Sequence, residues 1–302
     1  MAKASPLASV AATREVLERH GAWTKHGLGQ NFLVNDDVVC RILELSAVGP
    51  DDVVLEVGPG IGTLTFALLA HARHVVAVEK DPALPPILAD TLAGSEGRLT
   101  LLQKDALALS AADFPPELSP PGKLVANLPY AVAATIVLGY FERFAHVGSA
   151  TVMVQREVAD RICAQPGSKA YGAYTVKLGL HAAPAGRFAV GAGNFFPPPR
   201  VESAVVRLDR IAPLDAEGRP AGPELVRAAC AMADAAFANR RKTLANSAKA
   251  HFSGLGAEGA AVAERLPQLF ERAGIDPRRR GETLSQQEFL ALGRALLAEG
   301  GA

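Results

Sequence analysis

Residues 127–130 read Asn-Leu-Pro-Tyr, and they follow a short apolar run, Leu124-Val125-Ala126. The run has the length and composition of a buried strand. A strand that merely turns the chain needs neither an amide nor an aromatic ring at its end. Together the two groups suit one task. The Asn127 side-chain oxygen and the Leu128 carbonyl are placed to accept both N–H bonds of a flat exocyclic amine. Pro129 fixes the turn that aims the carbonyl, and Tyr130 offers a face on which a planar base stacks. Holding both N–H bonds pulls the amine nitrogen towards a tetrahedral shape and frees a lone pair otherwise delocalised into the ring. Asn127, Leu128, Pro129 and Tyr130 are therefore the candidate catalytic residues. Phe195 and Phe196, in the stiff segment "NFFPPPRVES", are expected to present a ring opposite Tyr130 as the second wall of a clamp.

A second constellation lies upstream. In "LEVGPGIGTLT", Gly58, Gly60 and Gly62 stand between a strand and a helix, where glycine permits tight turning and close backbone approach to a ligand. The spacing is G-x-G-x-G and not that of a pyrophosphate cradle. Glu79 closes the next strand, about twenty residues on, where a carboxylate suits a ribose diol. Asp105 closes the strand after that and can accept from an exocyclic amine. Three ligand-like groups at three successive strand ends, on the edge where open α/β sheets bind ligands, predict a nucleoside without a pyrophosphate. S-adenosyl-L-methionine fits that description, and the base at Asn127 is then an adenine receiving a methyl group at its amino nitrogen.

The elements that must position these residues are legible. Apolar strands and helices alternate from "DVVLEVG" through "HVVAVEKD", "RLTLLQKDAL", "KLVANLPY" and "SATVMVQ", which means βαβ units and a mostly parallel sheet. "SAVVRLDRI" closes it as a late strand. Residues 1–24 read as a weakly ordered arm with a short helix over Thr13 to His20. A Pro- and Gly-rich linker spans 209–222, and only helical periodicity follows from Pro223. The expected domains are the arm, a catalytic domain over 25–208, the linker and a helical domain over 223–302.

With 302 residues, 49% of them hydrophobic, the chain is long enough for two domains. Lys plus Arg balance Asp plus Glu at 31 each, which argues against a general polycation but permits a basic face. Cys40, Cys163 and Cys230 are scattered and odd in number, so neither a disulfide framework nor a zinc site is expected. No leader or membrane segment is evident, and a cytoplasmic monomer is the reading.

The motifs "GQNFL", "LEVGPGIGTLT", "VVAVEKD", "LLQKDAL", "VANLPY", "VQREVADRI", "SKAYG" and "FFPPPRVESAVVRL" occur in one order, over about residues 25–208. In this the chain resembles the ribosomal RNA adenine N6,N6-dimethyltransferases, most closely the bacterial small-subunit (KsgA) type. The resemblance implies a Rossmann-like class I methyltransferase sheet with a small C-terminal all-α domain. It implies dimethylation of two adjacent adenines near the 3′ end of 16S rRNA, a role late in subunit assembly, and no metal. Gln30, Asn31, Leu33, Gly58, Gly60, Glu79, Lys80, Asp105, Ala106 and Asn127 would hold the methyl donor, and the target base would meet Asn127, Leu128, Tyr130 and Phe195, the last at the first position of F-x-P-x-P-x-V-x-S. Within the helical domain, Arg240, Arg241 and Lys242 would contact rRNA phosphates. Arg156, Arg161 and Lys169 are expected to add a patch on the catalytic domain, and Arg278-Arg279-Arg280 forms another basic run. Three alternatives remain at this level: an Erm-type enzyme acting on 23S rRNA, a methyltransferase for a small molecule or protein, and an inactive assembly factor.

Overall fold

The computed structural model describes residues 3–23 and 30–300, the last two without their side chains. Part of the expected Gly-rich loop, 24–29, lies outside the described residues. The chain begins with helix α1 (Val10–Arg19), whose first turn is capped by the Ser9 hydroxyl. A two-residue strand β1 (Phe32–Leu33) leads into α2 (Asp36–Ser46), capped by the Asn35 side chain. Then come β2 (Val53–Val57), α3 (Thr63–His71), β3 (His74–Glu79), α4 (Pro85–Thr91), β4 (Leu99–Gln103), β5 (Lys123–Asn127), α5 (Ala133–Arg143) and β6 (Ser149–Gln155). The remainder is α6 (Arg156–Ile162), α7 (Ala173–Gly179), β7 (Ala182–Val190), β8 (Phe195–Phe196), β9 (Ser203–Arg210), α8 (Pro223–Phe237), α9 (Leu244–Ser253), α10 (Gly256–Ala273) and α11 (Gln286–Gly300).

Seven strands form one sheet in the order β4-β3-β2-β5-β6-β9-β7. The pairings β3·β4, β2·β3, β2·β5 and β5·β6 are parallel, and β6·β9 is antiparallel. Every residue of β2 and β3 is buried, as strands covered by helices on both faces require. The sequence order reverses beside β2, between β3 and β5. That crossover point is where such sheets leave a crevice at their carboxyl ends.

The chain divides into two compact units, Met1–Ala159 with Pro184–Arg210, and Asp160–Ala183 with Ile211–Ala302. The first holds the sheet. Its core gathers Val39, Ile42, Val54, Leu68, Val75, Val125 and Met153. The second is helical and packs Tyr171, Val176 and Leu180 with Met232, Leu244, Leu266 and Phe289. The expected catalytic stretch was continuous, whereas Asp160–Ala183 groups with the C-terminal helices. Arg161 and Lys169 therefore belong to the helical unit and Arg156 to the other.

Other departures have physical reasons. The strand β7 escaped notice because Pro184 and Gly186 interrupt it; it sits at the sheet edge, where such residues are tolerated. The N-terminal arm buries part of its length, including Ser5, Leu7, Thr13, Val16 and Leu17, while Trp23 stays exposed. The Ala4 and Ser5 N–H groups donate to the Asp36 carboxylate at 3.1 and 2.9 Å. Leu7, Val16 and Leu17 bury themselves against Phe32, Ile61, Leu84 and Ile87. The segment read as a linker is pinned as well: Asp215 is buried and takes ion pairs from Arg219 and Arg294. Among the described residues, no helix is long and apolar enough to cross a membrane.

Candidate active site

A cavity of about 580 Å³ opens at the carboxyl ends of β2, β3 and β5, within the first unit. Its wall includes Gln30, Asn31, Leu33, Gly58, Gly60, Glu79, Lys80, Asp105, Asn127, Leu128, Pro129 and Tyr130, residues drawn from five separate stretches of sequence. Of the expected donor-binding set only Ala106 is off the wall; it is buried, and its neighbour Leu107 faces the cavity instead. Phe195 is also off the wall. Its strand β8 pairs with β1, Leu33 opposite Phe195, and the ring is buried among the core side chains of the sheet. The clamp expected from Tyr130 and Phe195 is thus not formed in this conformation.

The Gly-rich turn after β2 is shaped by its glycines. Gly58 and Gly60 have φ of 68° and 61°, the left-handed region that side-chain-bearing residues rarely adopt. A Cβ on Gly60 would stand 3.1 Å from the Phe32 ring, and one on Gly58 would stand 3.6 Å from the Pro129 ring. The turn therefore packs directly on the loop that follows β5.

Glu79 ends β3 nearly buried, and its carboxylate accepts the Asp81 N–H at 2.7 Å. Burial pushes its pKa up, against the pull of the backbone N–H groups around it. Asp105 accepts from Lys80 at 2.8 Å and from the Leu107 N–H at 2.9 Å, and the Lys80 bond holds its pKa below the ordinary carboxylate range. Two further contacts cross from the β1 side. Gln30 donates to Asp81 at 2.9 Å, and the Asn127 side-chain nitrogen donates to the Asn31 carbonyl at 3.2 Å. The second bond uses the amide nitrogen and so turns the Asn127 oxygen away from Asn31. The Leu128 N–H is taken up by the Met153 carbonyl at 3.1 Å, which anchors the loop to β6.

Sequence reasoning passed over Glu56, Asp81 and Gln155, which also line the cavity. Glu56 had a visible signal: a lone carboxylate inside an otherwise apolar strand. It is 1% exposed, and its Oε2 has no hydrogen-bond partner; the Thr63 hydroxyl on the same wall has none either. Burial, with a smaller repulsion from Glu79, raises the Glu56 pKa to about 8. Orphaned buried polar atoms of this kind fit a ligand that brings its own donors and a positive charge. S-adenosylmethionine, with hydroxyls, amines and a cationic sulfur, is such a ligand.

The raised pKa has a consequence for stability. The folded protein holds this proton more tightly than the unfolded chain, whose ordinary value is 4.5. Stability is therefore fullest below that value, falls as pH rises towards about 8, and levels beyond it. Glu56→Gln removes the penalty. In the ligand-free protein it should raise stability by about 3 kcal/mol at neutral pH and leave it unchanged near pH 4. Denaturant unfolding of both proteins across that range checks this; an equal difference at every pH refutes it.

The profile of the family "Ribosomal RNA adenine dimethylase" matches residues 22–289. A "Ribosomal RNA small subunit methyltransferase A" of Rhodococcus opacus is 43% identical over 290 residues, covering 93% of this chain and 92% of that protein. The protein of that name from Thermobifida fusca is 42% identical, with 94% of each chain covered. Among solved structures, a dimethyladenosine transferase from Plasmodium falciparum superposes with a TM-score of 0.70 at 21% identity, over 89% of this chain and 98% of that one. The 23S rRNA methyltransferase ErmE gives 0.62 at 24% identity, over 88% and 99%. At such identities the superpositions speak for the fold, a class I methyltransferase sheet followed by helices.

Proposed function

The chain belongs to the ribosomal RNA adenine dimethylase family, and on that premise we propose that it dimethylates N6 of two adjacent adenines near the 3′ end of 16S rRNA in the small ribosomal subunit. The observation that carries the reading is the position of Asn127-Leu128-Pro129-Tyr130, on the wall of a cavity whose other strand ends carry Glu79 and Asp105. The small-subunit assignment rests on the names of relatives at 43% and 42% identity. Erm-type action on 23S rRNA is the alternative, and only the shared fold supports it.

In this reading S-adenosylmethionine supplies an electrophilic methyl group on a cationic sulfur. Glu79 would accept the ribose hydroxyls, and Asp105 would accept from the exocyclic amine of the donor's own adenine. The Gly58 to Gly60 turn would let the backbone approach closely, and Glu56 would meet the donor's positive charge. Asn31 and Gln30 close one side. On the acceptor side, the Asn127 oxygen and the Leu128 carbonyl take the two N–H bonds of the target amine. That aims its lone pair at the methyl carbon, and Tyr130 stacks on the extruded base. As the N–C bond forms, the bond from the methyl carbon to sulfur would break and neutral S-adenosylhomocysteine would leave; the nitrogen would take the positive charge and then lose a proton to solvent without a strong base. A second round on the same nitrogen gives the dimethylated product. Assembling subunits in the cytoplasm are the proposed setting, with the protein acting late in their maturation.

Labelled donor offered in parallel to unmethylated small subunits, large subunits and free rRNA tests this. Dimethyladenosine in the small subunit alone is expected. Label in 23S rRNA instead would transfer the protein to the alternative class.

The helical unit is the proposed rRNA contact. Arg240, Arg241 and Lys242 are all exposed, but Arg240 also donates to the Tyr171 and Lys169 carbonyls at 2.8 and 3.1 Å and so serves the unit's own structure. Arg278 and Arg279 are engaged by Asp276 and Glu288, so that run offers less charge to a phosphate than its sequence suggests. Arg241→Glu with Lys242→Glu should weaken subunit binding by about tenfold or more and flatten its salt dependence by about two charges. Filter binding at several salt concentrations reads both; an unchanged slope removes these residues from the interface.

A further inference from the structure

Tyr130 stands three residues beyond the end of β5, half-buried on the cavity wall, where no strand pairing fixes its side chain. Its phenol oxygen lies 2.6 Å from the Ser203 hydroxyl. Ser203 is the opposite kind of residue. It is fully buried, it opens β9, and it pairs across the sheet with Gln155 at the end of β6. The Arg156 N–H donates to the Glu202 carbonyl at 2.9 Å and locks the adjoining turn. The hydroxyl of Ser203 is thus a fixed point, while Tyr130 is a ring on a loop. Two torsions set a tyrosine ring: the first swings it and the second spins it about the axis that ends at the phenol oxygen, so a bond to that oxygen fixes where the ring stands.

We propose that Ser203 is a positioning residue for methyl transfer: through its hydrogen bond to Tyr130 it holds the ring at the place where the target base stacks. The inference rests on the stacking role proposed above and adds how the stacking surface is kept in register with Asn127 and Leu128. Burial keeps the phenol protonated, so the contact persists at any ordinary assay pH. It also gives a task to the serine that closes the proline-rich segment. That segment reaches the acceptor site through this hydroxyl, since Phe195 is turned into the core.

The test is a double-mutant cycle on the full chain, with small subunits as substrate and saturating donor. Ser203→Ala and Tyr130→Phe each remove the bond, and Tyr130→Phe does so without touching β9. Each should lower kcat/KM for the subunit by about five- to tenfold. The double variant should lose no more than either single one. The affinity of Ser203→Ala for S-adenosylhomocysteine should stay within twofold of the parent, because the defect lies on the acceptor side. Tyr130→Ala, which removes the ring, should lose far more. Losses that multiply in the double variant overturn the anchoring role, as does wild-type kcat/KM in Tyr130→Phe. If Tyr130→Ala is inactive while both bond-removing variants match the parent, stacking survives and the anchor does not. If Tyr130→Ala matches the parent, stacking fails and takes the anchor with it. Should Ser203→Ala fail to fold, Tyr130→Phe against the parent and Tyr130→Ala still decides the matter.

Discussion

Asn127→Ala is expected to reduce kcat for subunit methylation by about 10²–10³-fold, the scale on which removing one preorganised polar group from a water-excluded site is felt. The variant loses the amide oxygen that takes a target N–H, and also the 3.2 Å bond that ties β5 to Asn31. Asn127→Asp should not rescue it. A carboxylate keeps the acceptor but cannot donate to the Asn31 carbonyl, so two oxygens would face each other at that contact. Single-turnover transfer from labelled donor separates this loss from product release. Calorimetry with S-adenosylhomocysteine should show binding weakened by no more than about tenfold, since most of the donor's partners are elsewhere. Activity within tenfold of the parent would remove Asn127 from the chemistry.

Glu79→Ala should act on the other ligand. Its carboxylate is the proposed partner of two hydroxyls, and hydrogen bonds to a charged group contribute about 1.5–3 kcal/mol each. The donor product should therefore bind at least about a hundredfold more weakly. The loss is compounded because the Asp81 N–H is left without its 2.7 Å acceptor. Glu79→Gln should fall between, keeping an acceptor but no charge. Because burial raises the Glu79 pKa, donor affinity in the parent should decline on acidification sooner than an ordinary carboxylate would make it. Calorimetric titrations of the three proteins at several pH values check this, and equal affinity in all three would show that the ribose is held elsewhere.

Much of this site was legible because the chemistry of an open α/β sheet gathers at strand ends, and strand ends are where apolar runs stop. Glu79, Asp105 and Asn127 each stand at such a stop, so their convergence on one cavity follows from the parallel order of β2 to β5. What escaped was set by tertiary contacts that carry no local period. Phe195 had the type and place of a stacking ring, but pairing with β1 turns it into the core. β7 carries a proline and a glycine that read as loop until an edge position is known to tolerate them. Glu56 stands out as a lone carboxylate in an apolar strand, but the strand pattern does not say that it faces a cavity and not solvent. The arm reads as weakly ordered because most of its apolar residues are small alanines, and Leu7, Val16 and Leu17 have no partners nearby in sequence. They nonetheless meet Phe32 and Leu84, both on the cavity wall.

The assignment of Asp160–Ala183 to the helical unit bears on how such a protein is inherited. A gene that trades its C-terminal region by one recombination event after Arg210 exchanges α8 to α11 but keeps the old Tyr171, Val176 and Leu180, all buried in the helical core. The new helices must accept foreign side chains at three interior positions, and large mismatches there cost several kcal/mol. Successful exchange therefore takes two coordinated crossovers, or close similarity in the inserted stretch. The helical unit is accordingly expected to diverge in step with residues 160–183, and chimaeras that exchange it should carry that stretch along.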